Sequence, residues 1–440
     1  VTGLVISITT LGLLGCPAGS EDVRPPDDEF YFPTGLATTP DEGTIFVVNA
    51  NADLRFASGS VIVMRTSSID ALAEAWVDGG EVPEGCDRDN TLGFLINCDE
   101  TLVTRPNDSV RLASFATQIG VQELADGAVR LFVPSRGDPS VTFIDVEEDG
   151  NLECGGSGSQ PVCDDSHRLS LLRDDPNLGR LIEEPFGVFV DSLREYVLVS
   201  HLTSGTVTVV DAPSNGARPV ISDLITGIFA ASPTTGIAGA VGIAGRRPGS
   251  DNDLIYVTSR TDSRIQLLSV ARPSLDGLPR LATGDFFFLE QVQPADDSRE
   301  IAFSADGNRA YVVNREPPLL HVIDTSGGAD GKPVNRFIGG VELCAEAANL
   351  TLLDSGQGEK VYVSCFRNGQ IWTIDPVGLV VEGIIEVGRG PNSLLGVPSR
   401  GWLMVTNFLE DTIGVIDVRP GSATENRFVI RLGRIRQEDE

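Results

Sequence analysis

A basic side chain recurs at one position of a repeated sequence unit, and this column is the clearest candidate for chemistry in the chain. Arg136, His201, Arg260 and Arg315 each follow a small polar residue that closes a short apolar run. Arg donates two parallel hydrogen bonds to a carboxylate or phosphate, so a group of such residues suits anion recognition. The column therefore predicts a site for an anionic small molecule or an acidic segment of a protein partner. The alternative is that each Arg pairs with a nearby carboxylate and has only a structural role.

Calcium is the one metal for which the sequence offers a hypothesis. Asp145, Glu147 and Asp149 precede Gly150 with the spacing that opens a D-x-D-x-D-G calcium loop. Gly156 stands where such a loop needs its bidentate Glu. The alternative is an acidic turn at the end of a strand, and we expect no other cofactor.

Signatures of enzymes are missing from the sequence. The three histidines are His167, His201 and His321, and they are too scattered to form a His-rich copper or zinc site. The chain contains no C-x-x-C-H, H-E-x-x-H or G-x-S-x-G motif, so covalent haem, zincin and nucleophile-elbow chemistry have no support. No pair of carboxylates stands out among the many acidic residues. We therefore assign no catalytic residue and favour a protein that is not an enzyme.

The basic column belongs to a repeat that predicts short strands. In Arg309–Thr325, two apolar runs flank a tight turn; the first run ends in a small polar residue and the second closes on Ile-Asp. Runs rich in Val, Ile, Tyr and Phe between Gly, Asp, Asn or Pro are typical of strands. The other copies are Thr44–Arg65, Val129–Val146, Glu195–Ala212, Asp253–Val270, Lys360–Pro376 and Gly401–Val418.

Seven such units predict an all-β chain folded as a seven-bladed β-propeller of four-stranded antiparallel blades. A further apolar segment precedes and follows many of the hairpins and supplies the other two strands. In a propeller, the turn inside each hairpin lies on the same face as the loops that link blades. The four basic residues should therefore form an arc round the central channel. The polar residues that we align are Asn49, Ser135, Ser200, Ser259, Asn314, Ser364 and Asn407.

The repeat resembles a known family. Its pattern is P-x-G, an apolar run, D-G, then Y-V-x-N and V-I-D, and it resembles the YVTN-type seven-bladed propellers of surface-layer proteins and of the lactonase-like fold. The resemblance implies the propeller fold. It implies no single activity, because such propellers bind, scaffold and catalyse. Ser in place of Asn at several positions, and Leu267–Ser269 in place of V-I-D, depart from the pattern.

The chain divides into a leader, a tether, the propeller and a tail. Residues 1–15 read as a signal peptide truncated at its N-terminus, and Leu13–Cys16 resembles a bacterial lipobox, which would make Cys16 the lipidated first residue. An ordinary secretion signal with a chance Cys is the alternative. Residues 16–29 form a flexible tether, 30–433 the propeller with insertions near 78–107 and 147–177, and 434–440 a polar tail. Pro17 after Cys16 favours the outer membrane of a bacterial cell envelope.

The six remaining cysteines form pairs that are local in the sequence. Removal of Cys16 leaves an even number, as an oxidising compartment favours. Six cysteines allow 15 pairings, and free buried thiols remain an alternative. We predict the disulfides 86–98, 154–163 and 344–365, formed by Cys86, Cys98, Cys154, Cys163, Cys344 and Cys365.

The net charge of the chain limits the classes of partner that it can bind. The formal net charge is −30 and the pI about 4.4, so the surface repels nucleic acid. We expect a monomer that meets the membrane only through its lipid anchor. The sequence favours a cell-envelope lipoprotein that serves as a non-catalytic binding or scaffolding module for an anionic ligand or a protein partner. The alternative is a periplasmic lactonase-like or other hydrolase on the same fold.

Overall fold

A computed structural model describes residues 23–147, 150–173, 175, 177, 179–250, 253–289, 296–329 and 331–435. The predicted signal, Cys16, Asp149 and the end of the polar tail lie outside the described residues. The strands are β1 (Pro33–Thr38), β2 (Thr44–Asn49), β3 (Gly59–Arg65), β4 (Cys86–Arg88), β5 (Ile96–Cys98), β6 (Thr104–Leu112), β7 (Gly120–Glu123), β8 (Val129–Ser135), β9 (Ser140–Val146), β10 (Leu152–Glu153), β11 (Arg168–Leu169), β12 (Pro185–Asp191), β13 (Tyr196–His201), β14 (Val207–Asp211), β15 (Val220–Ile225), β16 (Ala240–Gly245), β17 (Ile255–Ser259), β18 (Arg264–Ala271), β19 (Arg280–Phe288), β20 (Asp296–Phe303), β21 (Arg309–Glu316), β22 (Pro318–Asp324), β23 (Arg336–Glu342), β24 (Ala347–Asp354), β25 (Glu359–Cys365), β26 (Gln370–Asp375), β27 (Val380–Glu386), β28 (Pro391–Val397), β29 (Trp402–Asn407), β30 (Thr412–Asp417) and β31 (Arg427–Leu432).

The strands form seven antiparallel blades, which confirms the predicted seven-bladed propeller. Five blades are plain four-stranded meanders: β1-β2-β3-β6, β12 to β15, β16 to β19, β20 to β23, and β24 to β27. Blade two carries β7 to β10 with β11 beside β9, and blade seven carries β28 to β31 with β5 and β4 added at its outer edge. The first strand of each blade lines the central channel.

Burial follows the position of a strand within its blade. The central strands are covered on both faces by neighbouring blades, so β8 and β13 are buried at every residue. Such strands read as continuous apolar runs instead of alternating ones, which is why Val and Ile dominate the repeat. The outer strand β19 is mostly exposed. Hydrophobic clusters between adjacent blades form the core.

The first insertion closes the ring. Blade one is built from the start of the described chain and blade seven from its end, and the strands β4 and β5 of the insertion in blade one join the sheet of blade seven. Strand β5 pairs in parallel with β31, with Ile96 opposite Ile430 and Cys98 opposite Leu432. A shared cluster that includes Trp76 fills the seam between the two blades.

Helices are short in the described part of the chain. The α-helix α1 (Thr66–Ala73) continues into a π-helical turn, Glu74–Asp78, and both precede the insertion boundary predicted at residue 78. Two 3-10 turns lie at Glu100–Leu102 and Pro398–Arg400. None of the helices in the described ranges combines the length and apolar character that a membrane crossing requires.

The three predicted disulfides are confirmed. They join Cys86 to Cys98, Cys154 to Cys163, and Cys344 to Cys365. The first lies across β4 and β5, where the two residues are directly paired. It therefore holds together the hairpin that closes the ring.

Candidate functional site in the central channel

Cross-strand pairing defines the equivalent position in every blade and corrects the column aligned from the sequence. Asn49, Ser259 and Asn407 each pair with the first residue of the channel-lining strand. In blades three and six, His201 and Cys365 make this pairing, and not the serines that precede them. A shift of one residue moves a side chain to the opposite face of a strand, so His201 does not belong to the basic column. The corrected column is Ala50, Arg136, Leu202, Arg260, Arg315, Phe366 and Phe408.

His201 has a structural role in the blade interior. It is 0% exposed, with Nδ1 3.0 Å from the Glu183 carbonyl oxygen and Nε2 2.9 Å from Thr208 Oγ1. The carbonyl can only accept, so Nδ1 carries the proton and Nε2 accepts from the Thr208 hydroxyl. Burial lowers the pKa of His201 to about 4. The ring is therefore neutral near pH 7, and the structure does not bring it to the channel mouth.

Three of the predicted residues do come together, and a fourth arginine joins them. Arg136 and Arg260 follow the second strands of blades two and four, Arg315 lies near the end of the second strand of blade five, and Arg299 lies in β20. Burial lowers the pKa of Arg260, and the charges of Arg299 and Arg136 lower it further. Burial lowers the pKa of Arg315 to about 10, with Arg299 and Arg260 acting in the same direction. Arg260 thus lies within reach of the charges of Arg136 and Arg299, and Arg315 within reach of those of Arg299 and Arg260, so the four guanidinium groups form an arc along blades two to five.

Two members of the arc are neutralised by carboxylates. Arg136 forms an ion pair with Glu184, and Arg299 Nη2 donates to Asp297 Oδ2 at 2.9 Å. Arg315 Nε donates instead to the backbone carbonyl of Ala347 at 2.8 Å. Of the predicted column, Arg136 is therefore paired with a carboxylate as the structural alternative expects, and binding of an anion by the others stays a prediction.

Arg260 reaches the arc because the neighbouring chain leaves room for it. Its stem crosses Gly239, where an added Cβ would lie 2.3 Å from Arg260 Cγ. Only Gly at that position allows the approach. Among the described residues, the Arg260 guanidinium has no hydrogen bond or ion pair.

A cavity of about 360 Å³ opens in the channel beside the arc, a volume within the range of small-molecule sites. All seven blades contribute to its wall, as expected of a space on the propeller axis. Arg136, Arg299 and Arg315 lie in the wall. The remaining lining residues are divided between aliphatic and aromatic side chains on one hand and amides, hydroxyls and one carboxyl on the other.

The carboxyl belongs to Glu300, which anchors a polar bridge across the channel. Its Oε2 accepts hydrogen bonds from Gln118 Nε2 of blade two at 2.9 Å and from Asn349 Nδ2 of blade six at 3.2 Å. Its Oε1 accepts the Ile301 backbone N–H at 3.1 Å. Burial raises the pKa of Glu300 to about 7, and the hydrogen bonds from Ile301 and Gln118 oppose the shift. Glu300 can therefore hold or release a proton near neutral pH.

Sequence reasoning missed Glu300 and Arg299, although a signal for Glu300 was present. Counted two residues on from the residue that precedes the bulge in each channel-lining strand (Pro33, Pro185 and Ser298 in blades one, three and five), blades one and three carry Gly35 and Gly187, the glycine of the P-x-G pattern. Glu300 replaces that glycine in blade five. Backbone bulges at this point in six blades turn these residues toward the channel and its walls.

The residues of the calcium hypothesis are not brought together as expected. Asp145 lies opposite Glu153 in the strand pair β9–β10, and His167 Nε2 is 3.0 Å from Glu153 Oε2 and 3.7 Å from Asp145 Oδ2. Glu147 is exposed outside this group. Burial alone would raise the pKa of Asp145, but hydrogen bonds from His167 and Arg130 hold it below its ordinary value. The carboxylate already forms an ion pair with Arg130.

Comparisons with known proteins agree on the fold. No protein-family model matches the chain, and no curated protein sequence matches it. Among solved structures, the periplasmic gluconolactonase of Pseudomonas aeruginosa is 17% identical with a TM-score of 0.50, over 82% of this chain and 87% of that one. A putative 6-phosphogluconolactonase from Bacteroides uniformis is 14% identical with a TM-score of 0.52, over 81% and 85%.

Propellers with other activities are equally similar. The hydrazine synthase structure from Kuenenia stuttgartiensis is 13% identical with a TM-score of 0.51, over 91% of this chain and 98% of that one. At such identities the likeness shows the fold alone. The chain is a seven-bladed β-propeller with lactonase-like structural neighbours.

Proposed function

We propose that this propeller binds a small anionic molecule in its central channel. The observation that carries the proposal is the convergence of Arg136, Arg260, Arg299 and Arg315 beside a cavity bounded by Glu300. Arg260 and Arg315 have no carboxylate within ion-pair distance among the described residues, so they are available to a carboxylate or phosphate. In a chain with a net charge of −30, this arc is a local positive site.

The arc is tested by removing its charge. Arg136, Arg260 and Arg315 are changed together to Ala, and binding of inorganic phosphate and gluconate is measured by calorimetry at two salt concentrations. We expect at least a tenfold loss of affinity and a weaker dependence on salt. Arg336→Ala is the matched control, because Arg336 is an exposed arginine on β23 that forms an ion pair with Asp324. Unchanged affinity and salt dependence in the triple variant would exclude the arc as the site.

Hydrolysis of a lactone is the second candidate function, and Glu300 is the observation that favours it. In this reaction water adds to the ring carbonyl carbon, the acyl C–O bond breaks, and the proton released by water ends on the ring oxygen, which gives a hydroxy acid. A carboxyl with a pKa of about 7 in a cavity can take and return that proton. The gluconolactonase and 6-phosphogluconolactonase neighbours make gluconolactones the first substrates to test. Acid release above the spontaneous rate, lost in Glu300→Gln and retained in Glu123→Gln, would support this function.

We further propose that the protein is a monomer anchored to the bacterial outer membrane through lipidated Cys16. The apolar segment before Cys16 and the polar, Pro-rich segment after it support this location. Replacement of Cys16 by Ser in the full chain should move the protein from the membrane fraction to the soluble fraction. Full retention in the membrane fraction would refute the anchor.

A further inference from the structure

The channel mouth carries aromatic side chains as well as arginines. The rings of Phe32, Phe366 and Phe408 gather at blades one, six and seven, which do not contribute to the arginine arc. The rings of Phe32 and Phe408 are 5.1 Å apart between centroids, and those of Phe366 and Phe408 are 6.1 Å apart. Phe115, Phe186 and Phe408 line the cavity itself. The cavity wall therefore combines arginine and phenylalanine side chains, with Phe115 beside Arg136 in blade two.

The backbone at the rim holds two of these phenylalanines in the left-handed region. In six blades the column residue donates its N–H to a rim residue, as Ala50 does to Phe32 and Arg136 to Phe115. The rim residue is left-handed in five of these blades, with φ 48° at Phe32, 58° at Phe115, and 57° at Glu184 and Glu346. Blade seven places Gly390 there, with φ 66°.

A bulky side chain in the left-handed region is a conformational outlier, and such strain is concentrated at functional sites. Glycine would adopt this backbone without strain, as Gly390 does. Of these six rim positions, two carry Phe and two carry Glu. Phe115 is only half-buried and faces the cavity, so its ring is exposed to a ligand there.

We propose that the ligand of this channel is an aryl anion, a carboxylate, phosphate or sulfate attached to a flat aromatic ring. This inference rests on the proposed anion-binding function and specifies its ligand class. The charged group lies against Arg315, the arginine of the cavity wall that has no carboxylate partner among the described residues, and the ring stacks on Phe115, Phe186 and Phe408. Aromatic pairs favour centroid separations of roughly 4.5–7 Å, the spacing already present among the rim phenylalanines. A purely polar anion would leave this aromatic part of the cavity wall without a partner.

The test compares anions that share a charge and differ in the ring. Binding of phenyl phosphate, inorganic phosphate, benzoate, acetate and gluconate to the wild-type protein is measured by calorimetry. We expect phenyl phosphate to bind at least tenfold more tightly than inorganic phosphate, and benzoate to exceed acetate by a similar factor. The two series separate the contribution of the ring from that of each anionic group.

Two variants test which phenylalanines contact the aromatic ring of the ligand. Phe408→Ala and Phe115→Gly should each reduce the advantage of phenyl phosphate over inorganic phosphate toward unity, while affinity for inorganic phosphate is retained. Glycine suits the left-handed backbone at residue 115, so the second variant should remain folded. Phe286→Ala is the matched control, because Phe286 is a half-exposed ring on the outer strand β19. It should leave the ratio unchanged.

The outcomes distinguish the two proposals. Equal affinity for phenyl phosphate and inorganic phosphate, or an advantage that survives both phenylalanine variants, overturns the aryl ligand but leaves anion binding standing. Arginine-dependent binding of gluconate without binding of aryl anions has the same meaning. Failure of every anion to bind the wild-type protein overturns both the aryl ligand and the proposed function.

Discussion

Replacement of Glu300 by Gln should abolish a component of the pH dependence of stability. The ordinary pKa of a Glu is 4.5, and burial raises that of Glu300 to about 7. Between these values the folded protein binds a proton that the unfolded chain has released. The free energy of unfolding must therefore fall as the pH rises through this window. The stabilising contribution is complete below pH 4.5 and is lost above about pH 7.

The magnitude follows from the size of the shift. One pKa unit corresponds to about 1.36 kcal/mol, so a change from 4.5 to about 7 gives on the order of 3 kcal/mol. Because Gln has no titrating proton, the variant should lack this change. The Glu300→Gln variant also loses one acceptor for the amide donors of Gln118 and Asn349. This loss should lower the free energy of unfolding equally at every pH.

The assay is urea unfolding at pH 5 and pH 8 for the wild type, Glu300→Gln and the exposed control Glu123→Gln. The difference between the two pH values, and not the stability at either one, is the quantity to compare. Wild type and control should share the same difference, and Glu300→Gln should differ from them by on the order of 3 kcal/mol. Identical pH dependence in all three proteins would show that the buried carboxyl does not titrate in this range.

Two other predictions concern the frame around the site. Removal of the Cys86–Cys98 disulfide, whose residues are 12 apart, should lower the free energy of unfolding in urea by about 3 kcal/mol. Removal of Cys154–Cys163, whose residues are 9 apart, should lower it less, because only the first disulfide holds the strand that closes the ring. An equal or smaller loss would show that β5 does not hold the seam. The variant His201→Gln should unfold less readily in acid than the wild type. Burial lowers the pKa of His201 from 6.5 to about 4. Its neutral ring therefore stabilises the protein above pH 6.5, and this stabilisation is lost as the pH falls through about 4. Acid unfolding with the same midpoint and steepness in the variant would contradict this role.

The fold could be predicted because each blade repeats the same local pattern, whereas the site depends on register. Ser200 and Ser364 look like the polar residues that end the second strand in other blades, and only hydrogen-bonded pairing shows that the next residue holds that position. Arg136 and Arg260 were found because their blades are aligned correctly. Glu300 was not predicted because it is one carboxylate among many in the sequence, at a position where other blades have glycine. Its hydrogen-bond partners come from blades two and six and are distant in the sequence.

The hydrogen-bonded bridge across the channel reflects the odd number of blades. In a ring with an odd number of members, no member has another directly opposite; each faces the gap between two. Blade two faces the gap between blades five and six, which is where Gln118 meets Glu300, itself bonded to Asn349. Matching groups cannot meet as a twofold pair on the axis of such a ring. A ligand in the channel of this ring therefore meets different chemistry in each direction, and its orientations differ in binding free energy.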